Sequence, residues 1–297
     1  MINIEKNRNT WLKIPKFENI YLSDKEIEII NEETGEISII DSDDFSKIYV
    51  AYGLYLMAMT PSSAIATNQQ IGVESFLDLM SCNSLEKEQM DILQTVHNHM
   101  TENGVFERIN DAFLKVNTNN IFLNKDNYYK VIYPYELFSI LTCNKPYSFK
   151  TDLLKTYICL KSHMILRIGR PDAEFVFVTT LSQKELATMC NMPINNFRTY
   201  MSTLLNDLNL IKEYRFTNKK NNIAQTMYAE YDNPNCERDF KYAEHYLQYI
   251  RFGLNKTYDN TSSQNKPKGT SNKVNSFAEI VYDKSFFENI LMNKKLS

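Results

Sequence analysis

The chain has 297 residues, is 43% hydrophobic and 23% charged, and sets 33 Lys plus Arg against 36 Asp plus Glu, for a net charge of −3. That balance belongs to a globular protein of about two domains; it excludes a uniformly basic coat but not a basic patch. Glycine is scarce at seven residues, which argues against glycine-loop nucleotide sites, and no run approaches the ~18 apolar residues of a membrane span.

The N-terminal stretch from Met1 to Lys16 carries Lys6, Arg8, Lys13 and Lys16 without an apolar core of signal-peptide length. Five cysteines, Cys82, Cys143, Cys159, Cys190 and Cys236, form no close pair. An odd, scattered set fits a reducing compartment, so a cytoplasmic location is expected, with no membrane partner. Ile27, Ile29 and Ile30 precede Asn31-Glu32-Glu33-Thr34-Gly35-Glu36, and Ile37, Ile39 and Ile40 follow it. This reads as an antiparallel hairpin around a glycine-bearing turn, forming an arm over residues 1–44. The acidic turn, followed by Phe45-Ser46-Lys47-Ile48-Tyr49, resembles the opening of small plasmid replication proteins of low-GC Gram-positive bacteria. The resemblance implies a winged helix downstream and binding to origin DNA.

Phe45, Tyr49, Tyr52, Leu56 and Met59 step by 4, 3, 4 and 3, predicting an amphipathic helix ended by Pro61. A short helix is expected from Glu74 to Met80. A longer one is expected from Leu85 to Glu102, burying Leu85, Leu93, Val96 and Met100, with Gly104 as its C-cap. Val105 to Ile109 and Phe113 to Val116 then alternate like strands. Within the longer helix lies the only histidine cluster, His97-Asn98-His99. On a strand two such imidazoles could share a metal, as in rolling-circle nickases, but i and i+2 on a helix do not face each other. The pair therefore reads as part of a solvated helix face, with no metal or cofactor.

Helical periodicity next predicts a helix from Thr151 to Leu166, and Phe175 to Val178 a brief strand. Ser182-x-x-Glu185 is a capping box opening a helix from Gln183 to Cys190 that buries Leu186 and Met189. Asn191-Met192 makes a turn, and Pro193 begins a helix at a position where its missing N–H is harmless. In that helix Ile194, Phe197, Met201, Leu204 and Leu208 step by 3, 4, 3 and 4 as a buried stripe, and Asn209 terminates it. Leu210 to Thr217 and Ile223 to Tyr231 read as strands joined by Asn218-Lys219-Lys220-Asn221-Asn222.

Helix, strand, helix, turn, helix, hairpin is the order of a winged helix-turn-helix. The run from Leu181 to Pro193, with its small Ala187, resembles the helix-turn-helix of many bacterial winged-helix proteins. The exit Leu204-Leu205-Asn206-Asp207-Leu208-Asn209-Leu210-Ile211 is similar to their passage into the wing. The upstream elements follow the same order, so the expected fold is mainly α with small β-hairpins (α+β): two diverged winged helices over 45–135 and 150–232, then a helix over 236–254.

Such modules also dock proteins, so function rests on the exposed face. Asn195, Asn196, Arg198, Thr199 and Ser202, with Gln183, Lys184 and the tip lysines Lys219 and Lys220, supply the chemistry that bonds base edges and phosphates. From Ser182 to Asn222, six bases face three acids, a local +3 in a negative chain. The upstream third helix instead carries Glu86, Glu88, Asp91 and Glu102 against Lys87, which would repel phosphates and suits packing on a partner or a sister domain.

Residues 255–275 are polar and unpatterned, a linker of net charge +3. Beyond it, two capping boxes (Ser276 with Glu279, Ser285 with Glu288) flank an amphipathic segment, 276–295, suited to docking in cis or on a replication or regulatory protein. The function expected is non-enzymatic, sequence-specific binding of double-stranded DNA, as a plasmid or phage replication initiator and as a homodimer. A transcription regulator and, more distantly, a rolling-circle nickase are the alternatives.

Overall fold

The computed structural model describes residues 11–15, 17, 21, 26–30, 37–60, 65–81, 85–110, 113–122, 130–167, 175–218 and 222–250. The arm's turn at 31–36, Pro61, Lys219, Lys220, the linker and the 276–295 segment lie outside these. In chain order the elements are β1 (Leu12–Ile14), β2 (Glu26–Ile30), β3 (Ile37–Asp41), α1 (Ser42–Met59), β4 (Ile65–Thr67), α2 (Asn68–Ile71), α3 (Val73–Leu79), α4 (Lys87–Glu102), β5 (Phe106–Arg108), β6 (Phe113–Val116), β7 (Lys130–Ile132), α5 (Pro134–Leu141) and α6 (Tyr147–His163). They continue with β8 (Leu166–Arg167), β9 (Phe175–Val176), β10 (Val178–Thr179), α7 (Gln183–Met189), α8 (Ile194–Ser202), β11 (Ile211–Thr217), β12 (Ala224–Glu230) and α9 (Cys236–His245). The fold is α+β with small antiparallel sheets. None of the described helices is long and apolar enough to cross a membrane.

The chain divides into two units that cut across the expected 45–135 and 150–232 domains. Unit 1 is Met1–Ser162 with Gln183–Leu210; unit 2 is His163–Ser182 with Ile211–Ser297.

In unit 1 the arm forms as expected, β2 pairing antiparallel with β3 from Glu26↔Asp41 to Ile30↔Ile37. The arm is not alone at the N-terminus, because β1 pairs with β7 more than a hundred residues on. The helix stepping from Phe45 to Met59 forms as α1; its middle turns are buried on all sides, beyond a single stripe, while Met59 is exposed. Val50, Ala51, Tyr52, Leu54, Tyr55 and Leu56 are all buried, and α2, α4, α5 and β1 pack around it. Helices apolar all round are core helices. Two of its tyrosines satisfy their hydroxyls on α2, Tyr52 donating to the Ile71 carbonyl at 2.9 Å and Tyr55 to that of Gln70 at 2.7 Å, while Tyr49 donates to the Ile121 carbonyl. Burial pushes the Tyr55 phenol up to about 12. At Gly53 a Cβ would stand 2.6 Å from the Ile121 methyl, so only glycine lets the chain at Ile121 come this close.

α4 begins at Lys87, two residues later than expected, leaving Leu85 half-buried ahead of it. It closes on Gly104 (φ 68°): the Gly104 N–H reaches the Thr101 carbonyl at 3.0 Å and that of Val105 the Met100 carbonyl at 2.9 Å. This is the paired closure of a Schellman motif, in which a left-handed residue is required. The solvated face expected at the histidines of α4 holds for Asn98 and His99, which are exposed, but not for His97. His97 is half-buried against the Phe106 ring, while His99 packs its edge on Phe45 and Tyr49.

The Tyr52 hydroxyl has one proton, committed to Ile71, so at 3.1 Å His97 Nδ1 is the donor to it. Desolvation holds His97 below the ordinary imidazole value. A depressed folded pKa gives stability that is full above the unfolded pKa, about 6.5, and lost as pH falls through the folded value. Denaturation midpoints should therefore drop on acidification below ~6.5, and His97→Gln should flatten that part of the profile. An unchanged slope in the variant would contradict the assignment.

The helix expected over Thr151 to Leu166 is α6. It starts earlier, where the Lys150 N–H bonds the Pro146 carbonyl, and it leaves Ile165 exposed. It too is buried nearly all round and takes three lysines in with it: Lys150, Lys155 and Lys161. Lys161 Nζ grips both oxygens of buried Glu136 on α5, at 3.0 and 2.8 Å. The Tyr157 hydroxyl donates to the same carboxylate at 2.6 Å and the Tyr133 N–H at 2.9 Å. A buried ion pair is tolerable only when its remaining hydrogen-bonding capacity is met in this way.

Two three-stranded sheets share one plan. In unit 1 the order is β4-β6-β5, and in unit 2 it is β10-β12-β11. Each first strand thus pairs antiparallel with the last one, not the next. In unit 2, Phe240 and Ala243 of α9, with Leu247 just beyond it, join Val178, Phe216, Met227 and Ala229 of the sheet in one core. The brief strand expected at Phe175 to Val178 is broken at Phe177, whose side chain is exposed while its N–H donates to Asp239 at 3.2 Å. The helix expected over 236–254 forms as α9 and a wider π-turn at Tyr246–Ile250.

Candidate nucleic-acid interface

The site lies on α7, the turn after it, and α8. α7 buries Leu186 and Ala187, but Met189, expected in the core, is exposed. The turn is a second Schellman closure, with Asn191 at φ 50°. Its N–H bonds the Thr188 carbonyl at 3.0 Å, and the Met192 N–H bonds that of Ala187 at 3.1 Å. Asparagine tolerates the left-handed region better than other residues with a side chain. Met192 is held on α6, where the Thr156 hydroxyl meets its sulfur at 3.7 Å. Pro193 (φ −59°, ψ 138°) caps α8 from outside rather than opening it; its carbonyl accepts the Phe197 N–H at 3.0 Å.

α8 is shorter than the helix expected from Pro193 to Leu208. Regular winding stops at Ser202 and a π-turn, Thr203–Asp207, follows. The wider turn brings Thr203 into the core with Leu204 and leaves Leu208 only half-buried. Asn209 (φ 51°) then ends the element as expected, the Leu210 N–H bonding the Leu204 carbonyl at 2.9 Å.

Two opposed stripes result. Phe197, Tyr200, Met201 and Leu204 are buried. Asn195, Arg198, Thr199 and Ser202, at i, i+3, i+4 and i+7, are exposed along the other side, with Asn196 beside them. No carboxylate interrupts this stripe. Thr199 spends its hydroxyl proton on the Asn195 carbonyl at 3.1 Å, and Ser202 accepts from the Asn206 amide at 3.1 Å. Among the described residues, the Asn195, Asn196 and Arg198 side chains have no protein partner. Lys184 is exposed on α7 and Gln183 is half-buried.

Tyr200, which the buried stripe read from the sequence omits, fixes how α8 sits. Its ring meets that of Phe149 edge-on at 4.8 Å, and its hydroxyl donates to Asp152 on α6 at 2.9 Å. Asp152 is in turn paired with Lys47 on α1 at 3.1 Å, and Lys47 also holds Asp44 at 2.6 Å and Asp43 at 3.3 Å. Burial opposes the charge on Lys47, but the Asp152, Asp44 and Asp43 carboxylates outweigh it and raise its pKa. Lys155 closes the cluster on Asp43 with its ammonium 5.4 Å from the Tyr21 ring centroid. Side chains from α1 and α6 thus hold α8 at one hydroxyl.

In unit 2, β11 and β12 form the expected two-stranded ladder, in register from Ile211↔Glu230 to Thr217↔Ala224. Arg215, counted among the bases of the segment, is neutralised by Glu213. Lys212 lies 5.0 Å from the Tyr231 ring centroid. On α4, by contrast, Glu86, Glu88, Asp91 and Glu102 are all exposed. Among the described residues no His, Cys, Asp and Glu side chains group as a metal site. No protein-family model, curated protein or solved structure matches the chain.

Proposed function

We propose that the chain is a non-enzymatic, sequence-specific binder of double-stranded DNA, built from two diverged winged helices, with α8 as its reading helix. The observation carrying this is the stripe of Asn195, Arg198, Thr199 and Ser202, exposed, free of acids and opposed to a fully buried stripe. Arginine bonds guanine and asparagine bonds adenine through paired donors and acceptors at the major-groove edge. The shared strand order of the two sheets, and the left-handed residue that ends the third helix of each set (Gly104 and Asn209), support the duplicated plan. The acidic third helix, α4, faces away from such a role and suits contact with protein.

Within that reading, initiation of plasmid or phage replication at origin DNA is favoured by the acidic hairpin turn and the aromatic helix start after it. Fluorescence anisotropy with duplexes from the gene's own neighbourhood, over a salt series, tests the proposal. Each phosphate contact contributes about −0.9 to the log–log slope. Arg198→Ala should lower affinity for the preferred duplex by roughly 10- to 100-fold, from ~1–3 kcal/mol per bidentate contact, and flatten the preference among sequences. Equal affinity for all duplexes, before and after the change, would sink it.

A further inference from the structure

The two sheets can be matched residue for residue by two independent routes. Counting from the left-handed residue after the third helix, Gly104 or Asn209, makes Phe106 equivalent to Ile211. The ladders Phe106↔Val116 and Ile211↔Glu230 then make Lys115 equivalent to Ala229. The first strands give the same answer, since Ile65 pairs with Lys115 and Val178 with Ala229. Ile65, Ile109, Phe113 and Lys115 therefore correspond to Val178, Tyr214, Met227 and Ala229.

In unit 2 this face is the one that α9 covers. Val178, Met227 and Ala229 are fully buried there, and Tyr214 stacks on Phe240 at 5.2 Å. In unit 1 the described residues of the matching face stand exposed. Ile65 is 61% exposed, Ile109 47% and Phe113 41%, with the Lys115–Glu107 pair at 2.8 Å between them. Alternate residues of a strand share a face, so three of the large exposed apolar side chains converge on one small sheet.

We infer that this face of the β4-β6-β5 sheet docks an amphipathic segment, as its counterpart docks α9, and that the occupant is residues 276–295 of the same chain. α9 covers its sheet with anchors at helical spacing. The 276–295 segment offers two such sets at i, i+3, i+4: Phe277, Ile280 and Val281, then Phe287, Ile290 and Leu291. A second copy of the chain fits less well. Stable dimers use about 20–30 residues a side, whereas this patch offers Ile65, Thr67, Glu107, Ile109, Phe113 and Lys115. A tether changes the requirement, because an effective concentration of the order of millimolar makes a small patch sufficient. The polar stretch 255–275 reaches roughly 70 Å extended, more than twice a small domain's ~30 Å. The inference does not depend on DNA binding.

Hydrogen exchange by mass spectrometry on the full chain tests it, together with the solution mass. Peptides spanning 280–291 should exchange at least tenfold more slowly than a free chain, in a protein of monomer mass. Ile65→Ser with Phe113→Ser should abolish that protection, as should Phe287→Ser; the first two positions are exposed, so the fold survives their change. Exchange at free-chain rates in the unsubstituted protein overturns the inference. So does protection that ignores the sheet substitutions, or a dimer that dissociates on Phe113→Ser.

Discussion

Lys161→Met should destabilise the protein by about 3–5 kcal/mol, the cost of removing one partner from a buried ion pair. The reason is what remains behind. Glu136 is buried on α5, and its carboxylate takes three kinds of donor: the Lys161 ammonium, the Tyr157 hydroxyl and the Tyr133 N–H. Without the ammonium, two neutral donors face a full negative charge in a site shut off from water. At ~2–4 °C per kcal/mol for a domain of 150–250 residues, thermal melting should fall by about 10 °C. Glu136→Gln in the same chain should recover most of that loss, since an amide needs no counter-charge and a well-packed apolar replacement of an ion pair is often neutral. Calorimetry of the single and double variants decides the matter; a double variant no better than Lys161→Met would show that packing, not charge, holds α5 to α6.

Lys184→Glu with Arg198→Glu is the converse experiment, with a large effect on binding and little on the fold. Both side chains are exposed, and surface substitutions away from special features usually stay within ±0.5 kcal/mol. Loss of a phosphate-facing cation at Lys184 would take about 0.9 from the salt slope, loss of Arg198 would remove its base contact, and two anions in their place would add repulsion. Binding to any duplex should fall at least a hundredfold at low salt while the melting temperature holds. Retained binding would move the interface off α7 and α8. A lost fold would mean that these residues are structural.

Helix α8 was legible in the sequence because its signal is local. A 3.6-residue period, a proline at the start and an asparagine at the end lie within about 17 residues, and each has a direct backbone consequence. Gly104 was legible for the same reason. The unbroken apolar run from Tyr49 to Met59 fits a buried helix, but the stripe read within it was too narrow. The 4-3-4-3 stepping of Phe45 to Met59 is real, but residues between those steps, such as Val50, Ala51 and Leu54, are also apolar and buried, so one stripe described only part of a core helix. The buried lysines of α6 escaped for a different reason. Lys161 meets its partner 25 residues away and Lys155 meets Asp43 112 residues away, and no window of local pattern spans such distances. Tyr200 was skipped because the even stepping ran past it, and its partner Asp152 lies on α6, 48 residues back.

The backbone passes between the two units three times, after Ser162, after Ser182 and after Leu210. Neither unit is a continuous stretch of sequence, so no single truncation yields one of them alone. A gene fragment ending after Leu210 would hold the whole of unit 1 but would also carry His163–Ser182, cut off from the rest of unit 2. Exchange of one contiguous stretch of gene therefore cannot replace either unit alone.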